Sequence, residues 1–527
     1  MSETADVVVA GGGHNSLITA AYLAKAGLEV VVLDAREAAG GGASTEELTL
    51  PGFHFDSCST GHTLIQPNPL LRDDELGLKS EYGLTYVDPD PIAHVVFPDG
   101  ESFTHWLDLD RALAEIARFS ERDAETYRRG LEEFDAIRPQ VGAYRFNPIG
   151  QAPPLDVALA DRPRWLRRLA MSAYDVIRRE YESPYVQSYL LWQAFQTAQP
   201  VDSPASGLLA YSIVAGRQQR SWSIPLGGSG QLPAALLRCL ADHGATVLTE
   251  RRVAELVLEN GRCVGVRTED GEEFRARRAV LSTIHVKRLV EMAPAEAWGE
   301  DFLDGVETYD PGLSIFAQYY ATTQAPELVA SGGGTQTAVS AGVVGWPEDV
   351  LQAGRDVREG KLLHARWLLI ATPTLVDPSR APEGMHTVKL LSMAPWNGGD
   401  WDALEREVAD ENLAALRRAA PNVTDDVILA EYVKSPVAIE RANEHMFHGT
   451  IHGGDRSLPN DGPRRPVPGW AQHRMPIAGL YQTGATTHPG GSITGAPGRN
   501  AAAIMLEDLG FDPRKVLPAP IRRGAAA

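Results

Sequence analysis

Apolar and polar positions near the start of the chain mark out a strand, a turn, a helix and a second strand. Asp6 to Ala10 is a short, almost wholly apolar run of the kind that makes a buried parallel strand. Leu17, Ala20, Ala21 and Ala24 then recur on one face, which predicts a helix over 17–26 that Gly27 ends. Glu29 to Leu33 is a second apolar strand, with Asp34 at its tip.

The same periodicities return later. Leu232, Leu236, Cys239 and Leu240 recur at helical spacing before Gly244, and Ala245 to Leu248 reads as a strand. Val253 to Leu258 and Val264 to Thr268 flank Asn260-Gly261, a hairpin signal. Ala279 to Thr283 is a further short strand, Leu480 to Gly484 another, and Gly498 to Leu509 a helix.

Two long stretches separate these segments. Residues 65–210 are mainly helical by periodicity, with Leu109, Leu113, Ile116 and Ala117 on one face and Ser120 with Asp123 as a capping pair. Residues 291–470 are mixed: Leu313 to Ala321 and Thr387 to Ser392 read as strands, Trp401 to Ala419 as an amphipathic helix.

Between the first strand and helix lies Gly11-Gly12-Gly13-His14-Asn15-Ser16, a phosphate-binding turn. Gly11 allows the tight turn, Gly13 lets the backbone approach a pyrophosphate, and the helix N-terminus favours the anion. Ser16 replaces the third glycine of the usual fingerprint and is still small enough for close packing. Asp34, about 20 residues beyond the glycines, is placed to accept hydrogen bonds from an adenosine ribose. An acid there argues against a 2′-phosphate, leaving FAD and NAD. Arg36 is followed by a second cluster, Gly40-Gly41-Gly42-Ala43-Ser44-Thr45. A nicotinamide domain does not need it, whereas the phosphates and ribityl chain of a flavin run along such backbone N–H groups.

At this point the chain resembles the FAD-dependent carotenoid-desaturase (phytoene dehydrogenase-like) family within the flavin amine oxidase-like superfamily. The resemblance rests on Gly11, Gly13, His14, Asn15 and Asp34; on Gly41, Gly42 and Thr45; and on Pro225-Leu226-Gly227-Gly228. It rests also on Gly479-Leu480-Tyr481 leading into Thr487-His488-Pro489-Gly490-Gly491, and on Gly495-Ala496-Pro497-Gly498-Arg499. The details are most similar to the branch of carotenoid ketolases and pyridine-nucleotide-disulfide-oxidoreductase-domain-2-like proteins.

The resemblance implies an α/β fold: a discontinuous Rossmann-like FAD-binding domain and an α+β substrate domain. We expect the first over residues 1–64, 211–290 and 471–512, the second over 65–210 and 291–470, and a tail over 513–527. It implies non-covalent FAD held by Gly11, Gly13, His14, Asn15, Ser16, Asp34, Ala35 and Arg36 and by Gly41, Gly42, Ala43, Ser44 and Thr45. Val253 would lie against the adenine, whereas by its own pattern it reads as a plain core valine. Gly484, Gly491, Ser492 and Thr494 would lie near the isoalloxazine, where the last helix points its N-terminus at the pyrimidine edge.

His488 and His62 are the catalytic candidates, since histidine titrates near neutral pH and can move a proton. Each can equally be an orienting residue. Tyr211, Trp222 and Trp396 are candidate lining of the substrate cavity. His448, His452 and Asp455 have the chemistry of metal ligands, but no fourth ligand accompanies them and no metal is expected.

Composition narrows the remaining classes. At 527 residues the chain is long enough for two domains, and 43% hydrophobic with 22% charged residues is ordinary for a globular enzyme. A formal charge of −20 argues against nucleic-acid binding. The three cysteines, Cys58, Cys239 and Cys263, form no CxxC and fit a reducing compartment. Cys239 and Cys263 are expected in the core. The first apolar run follows no basic region, so the expected location is the cytoplasm. Arg162, Arg164, Arg167, Arg168, Arg178 and Arg179, with Trp165, Leu166, Leu169, Met171 and Ile177, read either as a surface helix paired with acids or as a contact for an anionic membrane. The sequence leaves monomer or homodimer open.

The expected reaction is dehydrogenation or desaturation of a largely apolar small molecule by hydride transfer to flavin N5. There is no second glycine fingerprint for a nicotinamide, so a quinone or O2 is the expected electron acceptor. Amine or alcohol oxidation, carotenoid ketolation or isomerisation, and a non-catalytic FAD-binding scaffold are the alternatives.

Overall fold

A computed structural model describes residues 3–151, 162–362 and 367–518. Positions 519–527 of the expected tail lie outside the described residues. The apolar run after the N-terminus forms the strand Glu3–Ala10 at the centre of a seven-stranded sheet. The parallel part of that sheet runs in the order Thr246–Leu248, Val30–Leu33, Glu3–Ala10, Glu273–Ser282 and Leu480–Gln482. Val253–Glu259 and Arg262–Thr268 form an antiparallel hairpin that continues onto the start of Glu273–Ser282. Both residues of its turn, Asn260 (φ 50°) and Gly261 (φ 76°), are left-handed, as a tight hairpin requires.

Val7 to Ala10 are wholly buried because helices cover the sheet. His14–Lys25, Gln231–Asp242 and Ala496–Asp508 share one core on one face. The first and last of these touch through their backbones. A Cβ on Gly498 would strike the Asn15 carbonyl, and Thr19 Oγ1 donates to Gly498 O at 2.8 Å. Beside them, Arg499 makes a buried fork to Glu75 at 2.7 and 2.8 Å, and Tyr22 OH donates to the same carboxylate at 2.6 Å.

The second sheet also has seven strands, in the order Ile428–Lys434, Ile315–Thr322, His386–Met393, Trp367–Ala371, Ser340–Val344, Ala93–Val96 and Ser102–His105. It is antiparallel except where Ser340–Val344 pairs with Ala93–Val96. Helices Glu121–Arg145, Pro184–Phe195 and Leu209–Arg220 pack on it through a core holding Tyr189, Trp192 and Trp367.

Several details differ from the sequence-based expectation. Leu70, Leu71, Leu76, Leu78 and Leu84 join the core under the first sheet, whereas Tyr211, Ile213 and Val214 join that of the second. In the helix Leu109–Ala117 the buried residues are Ala112 and Ile116, and Leu109 faces solvent. Ser120 caps its helix by accepting the Asp123 N–H, but the Asp123 carboxylate accepts from the Glu182 and Ser183 N–H groups instead of returning the bond. The arginine-rich stretch is two helices, Arg162–Ala170 and Ala173–Glu180, with Trp165 and Ile177 in the core. Arg164 meets Glu133 at 2.6 Å, Arg168 meets Glu180 at 2.7 Å, and Arg178 meets Glu348 at 3.1 Å. Among the described residues no helix is long and apolar enough to cross a membrane.

Candidate functional site

The parallel strands all end on one side, at Ala10, Leu33, Leu248, Ser282 and Gln482, and this is where α/β sheets bind ligands. The next residue after Ser282 is Thr283, and both glycine turns close on it. A Cβ on Gly11 (φ 98°) would lie 2.5 Å from Thr283 Cγ2, and one on Gly484 (φ 95°) would meet Thr283 Oγ1. Only glycine adopts that backbone without strain and leaves that space open.

The N-terminal turn is braced from within. Ser16 Oγ donates to the carbonyls of Gly11 at 2.6 Å and Gly13 at 2.8 Å, so the residue in the third glycine's place fastens the turn. Asp34 Oδ2 accepts the Gly12 N–H at 2.8 Å, and Oδ1 accepts the Arg36 N–H at 2.9 Å. The two glycine clusters are zipped together by His14 N to Gly40 O at 3.1 Å and Gly40 N to Gly12 O at 2.8 Å.

A cavity of about 920 Å³ runs along these groups. It is lined by Gly11, Gly13, His14, Asn15, Asp34, Ala35, Arg36, Gly41, Gly42, Val253, Gly484, Gly491 and Ser492, so residues from all the cofactor segments share one space. Other expected cofactor residues support its walls. Ala43 is buried, Ser44 Oγ lies 2.5 Å from Ser57 Oγ, and Thr494 Oγ1 accepts the N–H of Ala496, the first residue of the last helix. Thr45 accepts the Gly230 N–H and donates to Asp56 Oδ1, both at 2.9 Å. Asp56 also receives the Ser229 N–H and Arg380, which locks the middle glycine motif against the second cluster.

Neither candidate histidine is among the residues lining the cavity. His488 is buried, with Nε2 2.9 Å from the Tyr144 carbonyl and its ring edge-on to Tyr144. His62 lies between Tyr86 OH at 3.2 Å and Ser229 Oγ at 2.8 Å, and burial pushes it down to about 3. The histidines that do line the cavity are also held neutral. Burial brings His14 and His445 down to about 4 and His452 to about 3. His448 instead stacks on Trp396, and Asp455 accepts the Ser457 N–H.

Of the expected aromatic lining, Trp222 is present. Tyr211 is instead a core residue that packs on Trp165 and bonds Glu180, and Trp396 is 36% exposed and bonded to Glu440. Cys58 lines the cavity, where burial pushes its thiol up and keeps it protonated, while Cys239 and Cys263 are buried.

Sequence reasoning missed Lys389. It lies in the strand His386–Met393, lines the cavity, and donates to the carbonyls of Asp56, at 3.0 Å, and Cys58. Burial pushes it down to about 8, although the nearby Cys58 and Asp56 oppose that shift. Its signal was a lone cation in the apolar run Thr387-Val388-Lys389-Leu390-Leu391. Arg217, Gln193 and Gln196, also in the wall, were missed as well.

Residues 17–506 match the family described as flavin containing amine oxidoreductase. The chain belongs to that family. As a flavin containing amine oxidoreductase it is an FAD-dependent oxidoreductase, and the cavity fits the cofactor: the glycine turns leave backbone space, and one continuous groove joins the ribose acid to the C-terminal glycines. The mouse pyridine nucleotide-disulfide oxidoreductase domain-containing protein 2 is 30% identical over 96% of this chain and 94% of its own, in keeping with the branch named from the motifs. One of the limonene dehydrogenase subunits of Castellaniella defragrans is 28% identical over 96% of this chain and 95% of its own. In structure, a triple mutant of putrescine oxidase covers 97% of this chain and 99% of its own, with a TM-score of 0.64 and 14% identity, a likeness of fold.

Proposed function

We propose that this flavin containing amine oxidoreductase dehydrogenates or desaturates a largely apolar small molecule and passes the electrons to a quinone or O2. The observation that carries the reading is the cavity itself. It continues past the glycine turns to Ile213, Trp222, Leu369 and Leu391, from the helices and sheet of the second core, which give it apolar wall. The limonene dehydrogenase polypeptide among its relatives supports an apolar substrate.

Bound FAD supplies a two-electron acceptor for hydride at N5. It would be held by the Gly11–Ser16 turn, Asp34 and the second glycine cluster, with Gly484, Gly491 and Ser492 at its far end. The cavity walls exclude water and hold the reacting carbon in place. Lys389 in its neutral form takes the accompanying proton, because it stands in the wall and burial brings it down to about 8. His488 and His62, bonded away from the cavity, are positioning residues that brace its walls.

The reading is tested by turnover. FAD-loaded protein is incubated with a soluble quinone and a panel of cyclic terpenes, carotenoids, apolar carboxylic acids, alcohols and amines, and products are weighed by mass spectrometry. A terpene, carotenoid or apolar-acid product lighter by two hydrogens supports it. Conversion of amines alone, or no conversion in the panel, counts against it.

A further inference from the structure

One part of the cavity wall does not suit a pure hydrocarbon. Arg217, on the helix Leu209–Arg220, lines the cavity and is 5% exposed. Its Nη2 donates to Gln196 Oε1 at 2.6 Å, its Nη1 has no hydrogen-bond partner, and among the described residues no carboxylate pairs with it. Three other buried arginines among the described residues are compensated. Arg380 meets Asp56 at 2.9 Å, Arg499 meets Glu75 at 2.7 Å, and Arg465 donates to the carbonyls of His452, Gly454, Asp455, Asn460 and Ala485. A cation taken out of water without a counter-charge is strongly unfavourable. Arg217 lines the cavity, and an anion reaches it from there.

Of the neighbouring amides, Gln196 is oriented for the same ligand, whereas Gln193, with its Nε2 given to Tyr189, keeps an acceptor, Oε1, without a partner. Gln196 Oε1 is occupied by Arg217, so its Nε2, also without a partner, is a second free donor in the wall. Gln193 is fixed by a chain that starts at the backbone. Gln218 Nε2 donates to Leu107 O at 2.9 Å, which turns Gln218 Oε1 toward His105 Nε2 at 2.8 Å. His105 Nδ1 then faces Tyr189 OH at 2.6 Å, and Tyr189 accepts from Gln193 Nε2 at 2.6 Å. Beside these polar groups stand apolar residues of the wall, Ile213 one turn before Arg217 and the Trp222 ring 5.5 Å from the guanidinium carbon. Two donors, one of them charged, beside the apolar Ile213 and Trp222 match a carboxylate at the end of a hydrophobic body.

We propose that the substrate carries a carboxylate on its apolar body, and that Arg217 and the Gln196 amide receive it. This rests on reading the cavity as the site of flavin reduction. It narrows the substrate class from any largely apolar small molecule to an amphipathic acid.

The test titrates FAD-loaded protein with cyclohexanecarboxylate and decanoate, and with their methyl esters, following the perturbation of the flavin visible spectrum. The acids are expected to bind at least about tenfold more tightly than the esters. Arg217→Gln removes that preference and leaves ester binding within about twofold, while Arg217→Lys keeps part of it. If Arg217→Gln does not retain FAD, Gln196→Leu is read in its place and is expected to reduce the preference. Equal binding of acids and esters, no perturbation by either, or a preference that survives these substitutions overturns the proposal. Failure of the underlying reading looks different: the protein then holds no flavin, or no compound reduces it under anaerobic conditions whatever its charge.

Discussion

Gly11 and Gly484, at opposite ends of the chain, close on the same side chain, that of Thr283. A Cβ at Gly11 would come within 2.5 Å of Thr283 Cγ2, and a Cβ at Gly484 would collide with Thr283 Oγ1. The two turns are thus fitted together through the end of the strand Glu273–Ser282, and both line one cavity. Gly484→Ala adds strain at φ 95° to that collision. It is expected to weaken FAD retention roughly tenfold or more through a local distortion of about 1–3 kcal/mol. Flavin content after gel filtration checks this, and full retention would show that the turn tolerates a side chain.

Asp34 ties the first glycine turn to the end of its strand by accepting from Gly12 and Arg36 N–H groups. Asp34→Asn places an amide N–H against one of those two donors and leaves it unsatisfied. The expected loss is about 1–3 kcal/mol, seen as roughly tenfold to hundredfold weaker FAD binding in a fluorescence titration.

Lys389 supplies the pH dependence. Its pKa is about 8 in the folded protein against an ordinary value of 10.5. The neutral amine that accepts a proton therefore accumulates above about pH 8, and the rate of flavin reduction is expected to rise through that point. Lys389→Met removes the rise. Stability follows the same group with a definite sign. Below pH 8 folded and unfolded chains both hold the proton and the burial penalty is in full force. Between about 8 and 10.5 the unfolded chain binds more protons, so this group's penalty fades and stability rises with pH. Urea unfolding across that window should show a smaller increase in Lys389→Met than in the natural protein.

His488 bonds to Tyr144 rather than facing the cavity, and its Nε2 lies 2.9 Å from a carbonyl, which makes it the donor. His488→Ala is expected to lower stability by about 1–3 kcal/mol by leaving that buried carbonyl unpaired. The pH profile of flavin reduction should keep its shape. A lost or displaced limb in that profile would return His488 to the chemistry.

These predictions draw on two kinds of legibility. The first strand, turn and helix, the acid at Asp34 and the Asn260-Gly261 hairpin were readable because their signals are local: periodicity, glycine and a capping acid within a few residues. The Trp401–Ala419 helix was readable for the same reason, and the structure places it over those residues. Arg217, Gln193 and Lys389 were not, because their place in the wall depends on which faces of distant helices and strands meet. Lys389 alone left a trace, a charge inside an apolar strand. Trp396 misled in the opposite way, since an aromatic residue carries no mark of whether it faces a cavity or solvent. Ser16 read only as a small residue in the third glycine's place, and its bonds to the Gly11 and Gly13 carbonyls show it as a brace.

The central claim is that one cavity holds the flavin and also admits the molecule that reduces it. Anaerobic titration of the FAD-loaded protein with the apolar panel, acids included, tests it most directly. The account predicts that at least one apolar compound bleaches the flavin stoichiometrically, and that oxygen or a quinone restores the colour. A flavin that stays oxidised with every such compound, yet is bleached by dithionite, would contradict it.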